Sequence, residues 1–241
     1  MIYVGIDDTD ILGSRGTNQL ARAIVQELTH DWKCQGIVRH QLLDDPRIPY
    51  TSKNGSASIT LEPRFPLPTP EADEVPALIE VCRHVMQGWY IEGSDPGLCV
   101  THQVPVAVTE FGWRCKQAVV TQQEARQLAA QHGMHLEGLG GTEGGVIGSL
   151  AAVGLIVTGN DGRVVQLGEW PDDLTGPQPV SVIQSRGIVI QEMDSFATVE
   201  TGTVDVGKHL RPNRRDGGTR LFVRLIAGVG SPCQYHAVKL T

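Results

Sequence analysis

Ile2-Tyr3-Val4-Gly5-Ile6-Asp7-Asp8-Thr9-Asp10 opens the chain, and its reading decides the fold. Ile2 to Ile6 is a short apolar run without alternation, the pattern of a strand buried on both faces of a helix-covered sheet. A polar, glycine-containing loop runs from Asp7 to Gly16. Beyond it, Leu20, Ile24 and Leu28 recur at helical spacing with Ala21 and Val25 beside them. This spacing predicts an amphipathic helix from about Asn18 to about His30, with Thr17 at the N-cap position. Strand, acidic loop and helix in that order predict an α/β (α+β) fold with the acids at one end of a buried strand.

Working outward, Ile37 to Leu43 reads as a second strand, and Ser56 to Leu61 alternates as a third. A helix is expected from about Glu71 to Gln87. Thr121-Gln122-Gln123-Glu124 is a capping-box pattern that opens a helix to about His132. The glycine-rich stretch Gly138 to Gly148 leads into another helix, over Val146 to Val153. From about Arg163 onward the pattern changes to short β-like runs: Val180–Ile183, Gly187–Ile190 and Leu221–Ile226. A boundary is placed at Thr158-Gly159-Asn160-Asp161-Gly162.

A chain of 241 residues suits one large domain or two modest ones. No stretch approaches the roughly 18 apolar residues of a membrane helix, and Asp7, Asp8 and Asp10 interrupt any leader-like start. The five cysteines form no CxxC pair, which fits buried thiols in a reducing compartment. A cytoplasmic protein is expected. The net charge of −7 argues against a surface that holds nucleic acid throughout. One basic run stands out, Lys208 to Arg215, with Arg220 and Arg224 beyond it.

Three carboxylates within four residues repel one another, so Asp7, Asp8 and Asp10 need water or a cation among them. Hard oxygen donors of this kind suit Mg²⁺, and a solvated turn is the competing reading. Gly13-Ser14-Arg15-Gly16-Thr17-Asn18 precedes a helix, where backbone N–H groups favour a phosphate. Thr17 there reads equally as a cap. Gly138 to Gly148, with Gly144 and Gly145, reads either as a second phosphate cradle or as a tight loop for close helix packing. It matches neither a Walker A loop nor GxGxxG. The loop from Asp45 to Gly55 offers Arg47 and Lys53 as cations. Cys99-x-x-His102 and His132-x-x-His135 lack the spacing of a zinc site, and no Gly-x-Ser-x-Gly elbow occurs.

These residues resemble, in order, the archaeal tRNA-Ile agmatinylcytidine synthetase family, TiaS. Gly5-Ile6-Asp7-Asp8-Thr9-Asp10 resembles its N-terminal signature. Ile48-Pro49-Tyr50 with Lys53-Asn54-Gly55-Ser56-Ala57 is similar to its Ile-Pro-Tyr/Trp-Lys-Thr-Arg-Gly-Asn-Gly-Ala loop. Ser94-Asp95-Pro96-Gly97 resembles its Asp/Asn-Pro-Gly turn, and Gly144 to Gly154 its Gly-Arg-Gly-Leu-Ile-Gly-Ala-Leu-Ala-Ala-Val-Gly. Ser231-Pro232-Cys233-Gln234-Tyr235 is similar to its Gly-Pro-Cys-Pro-Val-Leu-Tyr. The resemblance implies a kinase-like domain over about residues 1–160 and a smaller ferredoxin-like domain over about 161–241. It implies ATP and Mg²⁺ as cofactors, with Asp7, Asp8 and Asp10 on the metal. Thr9, Arg15, Gly16, Asn18, Lys53, Asn54, Gly144 and Gly145 would lie around the phosphates, and Thr17 would be the phosphorylated threonine, with Asp8 beside it in catalysis.

The chain departs from the family where Gly16-Thr17-Asn18 replaces Cys-Thr-Thr, where Thr51 and Lys53 replace the loop's lysine and arginine, and where Gly144 replaces an arginine. Lysine for arginine gives up the bidentate fork on phosphate. No stretch of these 241 residues resembles the family's OB-fold or zinc ribbon. A small-molecule or nucleoside acceptor is therefore expected, with tRNA only through a partner protein; a tRNA-modifying subunit and a non-catalytic ATP sensor are the alternatives.

Overall fold

A computed structural model describes residues 1–48, 53–66, 71–226 and 233–240. Pro49 to Ser52, Ser231 and Pro232, which carry parts of two of the motif matches, lie outside the described residues.

The first half runs β1 (Ile2–Asp7), α1 (Thr17–Leu28), β2 (Trp32–Gln41), β3 (Gly55–Pro63), α2 (Glu71–Trp89), β4 (Gly97–Thr101), α3 (Val106–Arg114), α4 (Gln122–Gln131), β5 (His135–Gly138) and α5 (Val146–Ile156). The second half runs β6 (Arg163–Leu167), β7 (Pro177–Pro179), α6 (Val180–Gln184), β8 (Ile188–Glu192), β9 (Thr203–Asp205), β10 (Asn213–Arg215), β11 (Gly218–Leu225) and β12 (Tyr235–Ala237). The strands join in one mixed sheet of order β5-β4-β1-β3-β2-β6-β10-β11-β12-β9-β7, with β8 parallel to β11. β6 pairs with β2 on one side and β10 on the other. No helix among the described residues is long and apolar enough to cross a membrane.

β1 is central and covered on both faces, as its unbroken apolar run requires. On one face Ile2, Val4, Ile6, Ile37, Ala57 and Ile59 pack against Leu20, Ile24 and Leu28 of α1 and Leu78 and Cys82 of α2. On the other, Tyr3 and Cys99 pack with Leu150 and Val153 of α5 and Phe111 of α3. α5 buries ten of its residues, Val146 among them and Ile156 last. A helix apolar on every side belongs between layers, and α5 lies between the sheet and α3. The capping box at Thr121 and Glu124 is formed in full.

Two expectations are corrected. Val180 to Ile183 is helix α6, not strand: Pro179 sets its start, and Val180 and Ile183, one turn apart, both enter the core with Ile188, Ile190 and Val223. Thr17 is the first helical residue, and Gly16 holds the N-cap position without a side-chain cap. The capping is done from outside the helix, by Asp10 Oδ2, which accepts the Thr17 N–H at 3.3 Å.

A buried polar chain ties the two halves together. His40 Nδ1 lies 2.8 Å from Asp161 Oδ2, and His40 Nε2 lies 2.8 Å from Ser58 Oγ. Lys116 Nζ stands 2.8 Å from Asp161 Oδ1. The order Ser, His, Asp has the look of a nucleophile triad, but Ser58 and His40 are 0% exposed and neither lines a cleft, so the chain is structural. Burial pushes the His40 pKa down and outweighs the pull of Asp161, leaving the ring neutral at physiological pH. Burial alone would raise the Asp161 carboxyl, but His40 and Lys116 together hold it below its ordinary value. Asp161→Ala is expected to destabilise the fold by about 3 kcal/mol or more, because it leaves the Lys116 ammonium without its buried partner. Urea unfolding of the variant checks this.

Candidate active site

The acids expected at the end of β1 do lie there. Both neighbours of β1 run antiparallel to it. Asp7 therefore meets Gly97 at the start of β4, and Ile6 meets Ala57 near the start of β3. Loops entering β3 and β4 and the loop leaving β1 are gathered at one end. The Gly138–Val146 connection joins them through Asp95. Asp95 donates its N–H to Asp8 O at 3.1 Å and accepts the Gly145 N–H on its own carbonyl at 2.9 Å. Its carboxylate accepts the Thr142 hydroxyl at 2.8 Å.

The result is a cleft of about 440 Å³. Its polar lining is Asp7, Asp8, Asp10, Asp95, Gly16, Thr17, Asn18, Arg39, Lys53, Asn54, Gln122, Thr142 and Gly144. Its apolar lining includes Leu42, Ile48, Ala118, Val120 and Ile147. Cys115 also lines the cleft, but burial pushes its thiol up to about 12, so it is a protonated lining residue and not a nucleophile.

The Asp7 carboxyl is raised from 3.8 to about 7, first by burial and then by Asp8. Asp8 is raised to about 6 by burial, then by the charges of Asp95 and Asp10. Asp8 also holds a left-handed backbone, φ 51°, which costs energy for a residue with a Cβ and is tolerated best by Asp and Asn. Repulsion and backbone strain thus meet at one residue, as they do at functional sites. Thr17 Oγ1 accepts a hydrogen bond from Thr9 Oγ1 at 3.1 Å. The glycine-rich loop serves mainly close packing. Asp7 Oδ2 lies 1.8 Å from where a Cβ on Gly148 would be, so only glycine lets α5 start beside that carboxylate.

Among the residues predicted from sequence, Asp7, Asp8, Asp10, Gly16, Thr17, Asn18, Lys53, Asn54 and Gly144 line the cleft. Three take other places. Thr9 is buried behind Thr17. Arg15 stacks on Trp89, 3.6 Å from the ring centroid. Gly145 packs against the backbone of Asp95 and Gly97, its N–H already used. Arg47 is engaged by Asp45 at 2.7 Å. Among the described residues no three His, Cys, Asp or Glu side chains form a ready metal cage. Mg²⁺ does not require one, since it takes one or two carboxylates with waters and substrate phosphates. Asp7 and Asp8, two carboxyls raised first by burial and then by like charge, fit that donor set.

Arg39, Asp95, Gln122 and Thr142 were not singled out as cleft residues from sequence. Arg39 had a weak signal: it follows the apolar pair Ile37-Val38 in a strand and precedes His40, so the two must face opposite sides of the sheet.

No family model matches the sequence, and no curated protein matches it. Solved structures do. The TiaS–tRNA(Ile2)–ATP complex superposes with a TM-score of 0.53 at 25% identity, over 64% of this chain and 36% of that one. The fold of this part is TiaS-like. A tRNA fluorescent labelling enzyme gives the same TM-score and identity over 64% of this chain and 35% of its own. Apo TiaS, a tRNAIle2 agmatidine synthetase, gives 0.52 at 24%. The likeness to TiaS therefore takes in most of this chain but only about a third of the length of those proteins.

Proposed function

We propose that the protein is a Mg²⁺-dependent, ATP-using phosphotransferase or ligase related to TiaS, acting on an acceptor held in the cleft. One observation carries the reading: four carboxylates, a helix start bearing Thr17, and the cations Lys53 and Arg39 line a single cleft. Phosphoryl transfer asks for little else, because its catalysis is positioning and charge neutralisation. Bound Mg²⁺ would supply the neutralising charge, with Asp7 and Asp8 as its protein ligands. Asp10 caps α1 and so fixes where the helix's first-turn N–H groups point. Lys53 and Arg39 draw the phosphates inward. Thr17, held by Thr9, accepts a phosphoryl group. The apolar side chains among the lining, Leu42, Val120 and Ile147 included, exclude water from the acceptor. The division into a kinase-like unit over about residues 1–160 and a ferredoxin-like unit over about 161–241 belongs to this reading.

A second reading, a subunit of a tRNA-modifying assembly that relies on a partner for RNA grip, is favoured by the likeness to the TiaS–tRNA(Ile2)–ATP complex.

The test is incubation with Mg²⁺ and γ-labelled ATP. Label is expected on the wild type, reduced in Thr17→Ser and absent in Thr17→Ala. Full ATP turnover by Thr17→Ala would remove the nucleophile role. Saturable ATP binding by the wild type without label or hydrolysis would reject catalysis in favour of a sensor.

A further inference from the structure

Asp7, Asp8, Asp10 and Asp95 all line the cleft, and their surroundings set Asp95 apart. The Asp8 carboxyl makes no hydrogen bond among the described residues, so its oxygens are open to a ligand. Both oxygens of Asp95 are taken by one residue. Oδ1 accepts the Thr142 N–H, and Oδ2 accepts the Thr142 hydroxyl at 2.8 Å. Hydrogen bonds to a charged acceptor are the stronger kind, and two of them together fix the orientation of the carboxylate.

The loop is shaped for this grip. Gly141, at φ 57°, and Glu143, at φ 61°, take the left-handed backbone on either side of Thr142. A Cβ on Gly141 would stand 1.8 Å from Asp95 Oδ1, so only glycine lets the turn close over that oxygen. From the other side, Pro96 favours an extended Asp95. Thr142 is anchored in turn by α4: its carbonyl accepts the Gln122 amide at 2.9 Å, and Arg126 pairs with Glu143 next to it.

The main chain of Asp95 reaches the metal-seeking end. Its N–H donates to Asp8 O at 3.1 Å, and its carbonyl accepts the N–H of Gly145, the N-cap of α5, at 2.9 Å. The Asp8 N–H donates to the Asp7 carboxyl. The left-handed Asp8 is therefore tied on both sides, to Asp7 through its N–H and to Asp95 through its carbonyl.

We infer that Asp95 is a positioning residue and not a third metal ligand: its carboxylate clasps Thr142, and its main chain carries that anchorage to Asp8 and to the start of α5. The service to a metal end rests on the ATP-using reading above; the clasp itself does not. Asparagine separates the two roles. It keeps an acceptor oxygen for the Thr142 N–H and offers an amide N–H to the Thr142 hydroxyl oxygen. It brings no charge to Mg²⁺, which proteins bind through carboxylates.

The experiment compares wild type, Asp95→Asn, Asp95→Ala, Thr142→Val and the double variant Asp95→Ala/Thr142→Val. Each is followed by ATP turnover across a Mg²⁺ titration and, without ATP, by hydrogen exchange over residues 139–146. Asp95→Ala is expected to lose at least about tenfold in kcat/KM and to exchange faster over that segment. Asp95→Asn is expected to recover most of both losses and to need no more Mg²⁺ than the wild type. Thr142→Val keeps the N–H and is expected to lose less than Asp95→Ala. The double variant is expected to be no worse than Asp95→Ala alone, the mark of two groups acting as one. The inference is overturned if Asp95→Asn is as slow as Asp95→Ala and demands more Mg²⁺, which would make Asp95 a ligand. It is equally overturned if the two single losses multiply in the double variant, or if a folded Asp95→Ala exchanges as the wild type does. Thermal melts show which variants fold. Should Asp95→Ala not fold, Thr142→Val decides: faster exchange supports the clasp, and exchange at the wild-type rate overturns it. A wild type that does not use ATP would sink the proposed function, while the exchange comparison would still decide the clasp.

Discussion

Asp8→Asn is expected to lower ATP turnover about 10³-fold or more while leaving the protein at least as stable as the wild type. The two effects have one origin. Asp8 is held among Asp7, Asp10 and Asp95, where burial and like charge raise its carboxyl to about 6. The folded state thus binds a proton more tightly than the unfolded one, whose ordinary value is 3.8. Stability falls with pH wherever the native state holds more protons. The wild type should therefore lose stability as pH rises from about 4 to about 7, through the raised values of Asp8 and Asp7. Asn cannot ionise, so its pH profile should be shallower and its advantage largest at about pH 8. Asn also tolerates the left-handed backbone that Asp8 adopts, which keeps the substitution local. Urea unfolding at about pH 5 and about pH 8, beside an ATP hydrolysis assay, reads both halves. A variant that turns over ATP normally would detach Asp8 from the chemistry. One that melts well below the wild type at high pH would mean that Asp8 is structural.

What the sequence made legible follows from the range of the forces involved. β1, α1 and α5 are written in short-range patterns: an unbroken apolar run, a helical stripe, and a helix apolar on every side. The Thr121–Glu124 capping box is likewise complete within four residues. α6 was misread because five residues are too few for periodicity to speak, and the β-branched Val180, Val182 and Ile183 pull a local reading toward strand. The cleft was half legible. Asp7, Asp8, Asp10 and the start of α1 are adjacent in sequence, so their grouping needs no tertiary knowledge. Asp95 reaches the site through β4 pairing with β1, and Arg39 through its place in β2. The His40–Asp161 contact spans 121 positions, and no local pattern announces it. The basic run at Lys208 to Arg215 reads from sequence as a solvated loop more readily than as a nucleic-acid patch, and in the fold Arg211 is spent on Asp172 and Arg215 on the Asn160 carbonyl.

Gly5→Ala is expected to destabilise the protein by about 3 kcal/mol or more, and to reduce ATP use although Gly5 does not line the cleft. A Cβ at Gly5 would lie 1.9 Å from Ser149 O, 2.9 Å from Ser149 C and 3.0 Å from Val153 Cγ2. The first two are backbone atoms in the middle of α5, so no rotamer change relieves the clash. The strand cannot step aside, because Gly5 is paired with Ser58 on one side and Cys99 on the other. What must give is the distance between α5 and the sheet, and α5 is wedged from behind as well: Val108 O lies 2.2 Å from a Cβ position on Gly154. Lifting α5 opens the core around Leu150 and Val153 and draws Gly148 away from Asp7 and Gly145 from Asp95. A single methyl in β1 thereby disturbs the carboxylates at its end. Gly88→Ala is the matched control: Gly88 is helical, in α2, and a Cβ there meets nothing within 4 Å, so it should stabilise by up to about 1 kcal/mol. A Gly5→Ala protein that melts with the wild type would mean that α5 does not sit as close to β1 as this packing requires, and the carboxylate geometry that depends on that contact would fall with it.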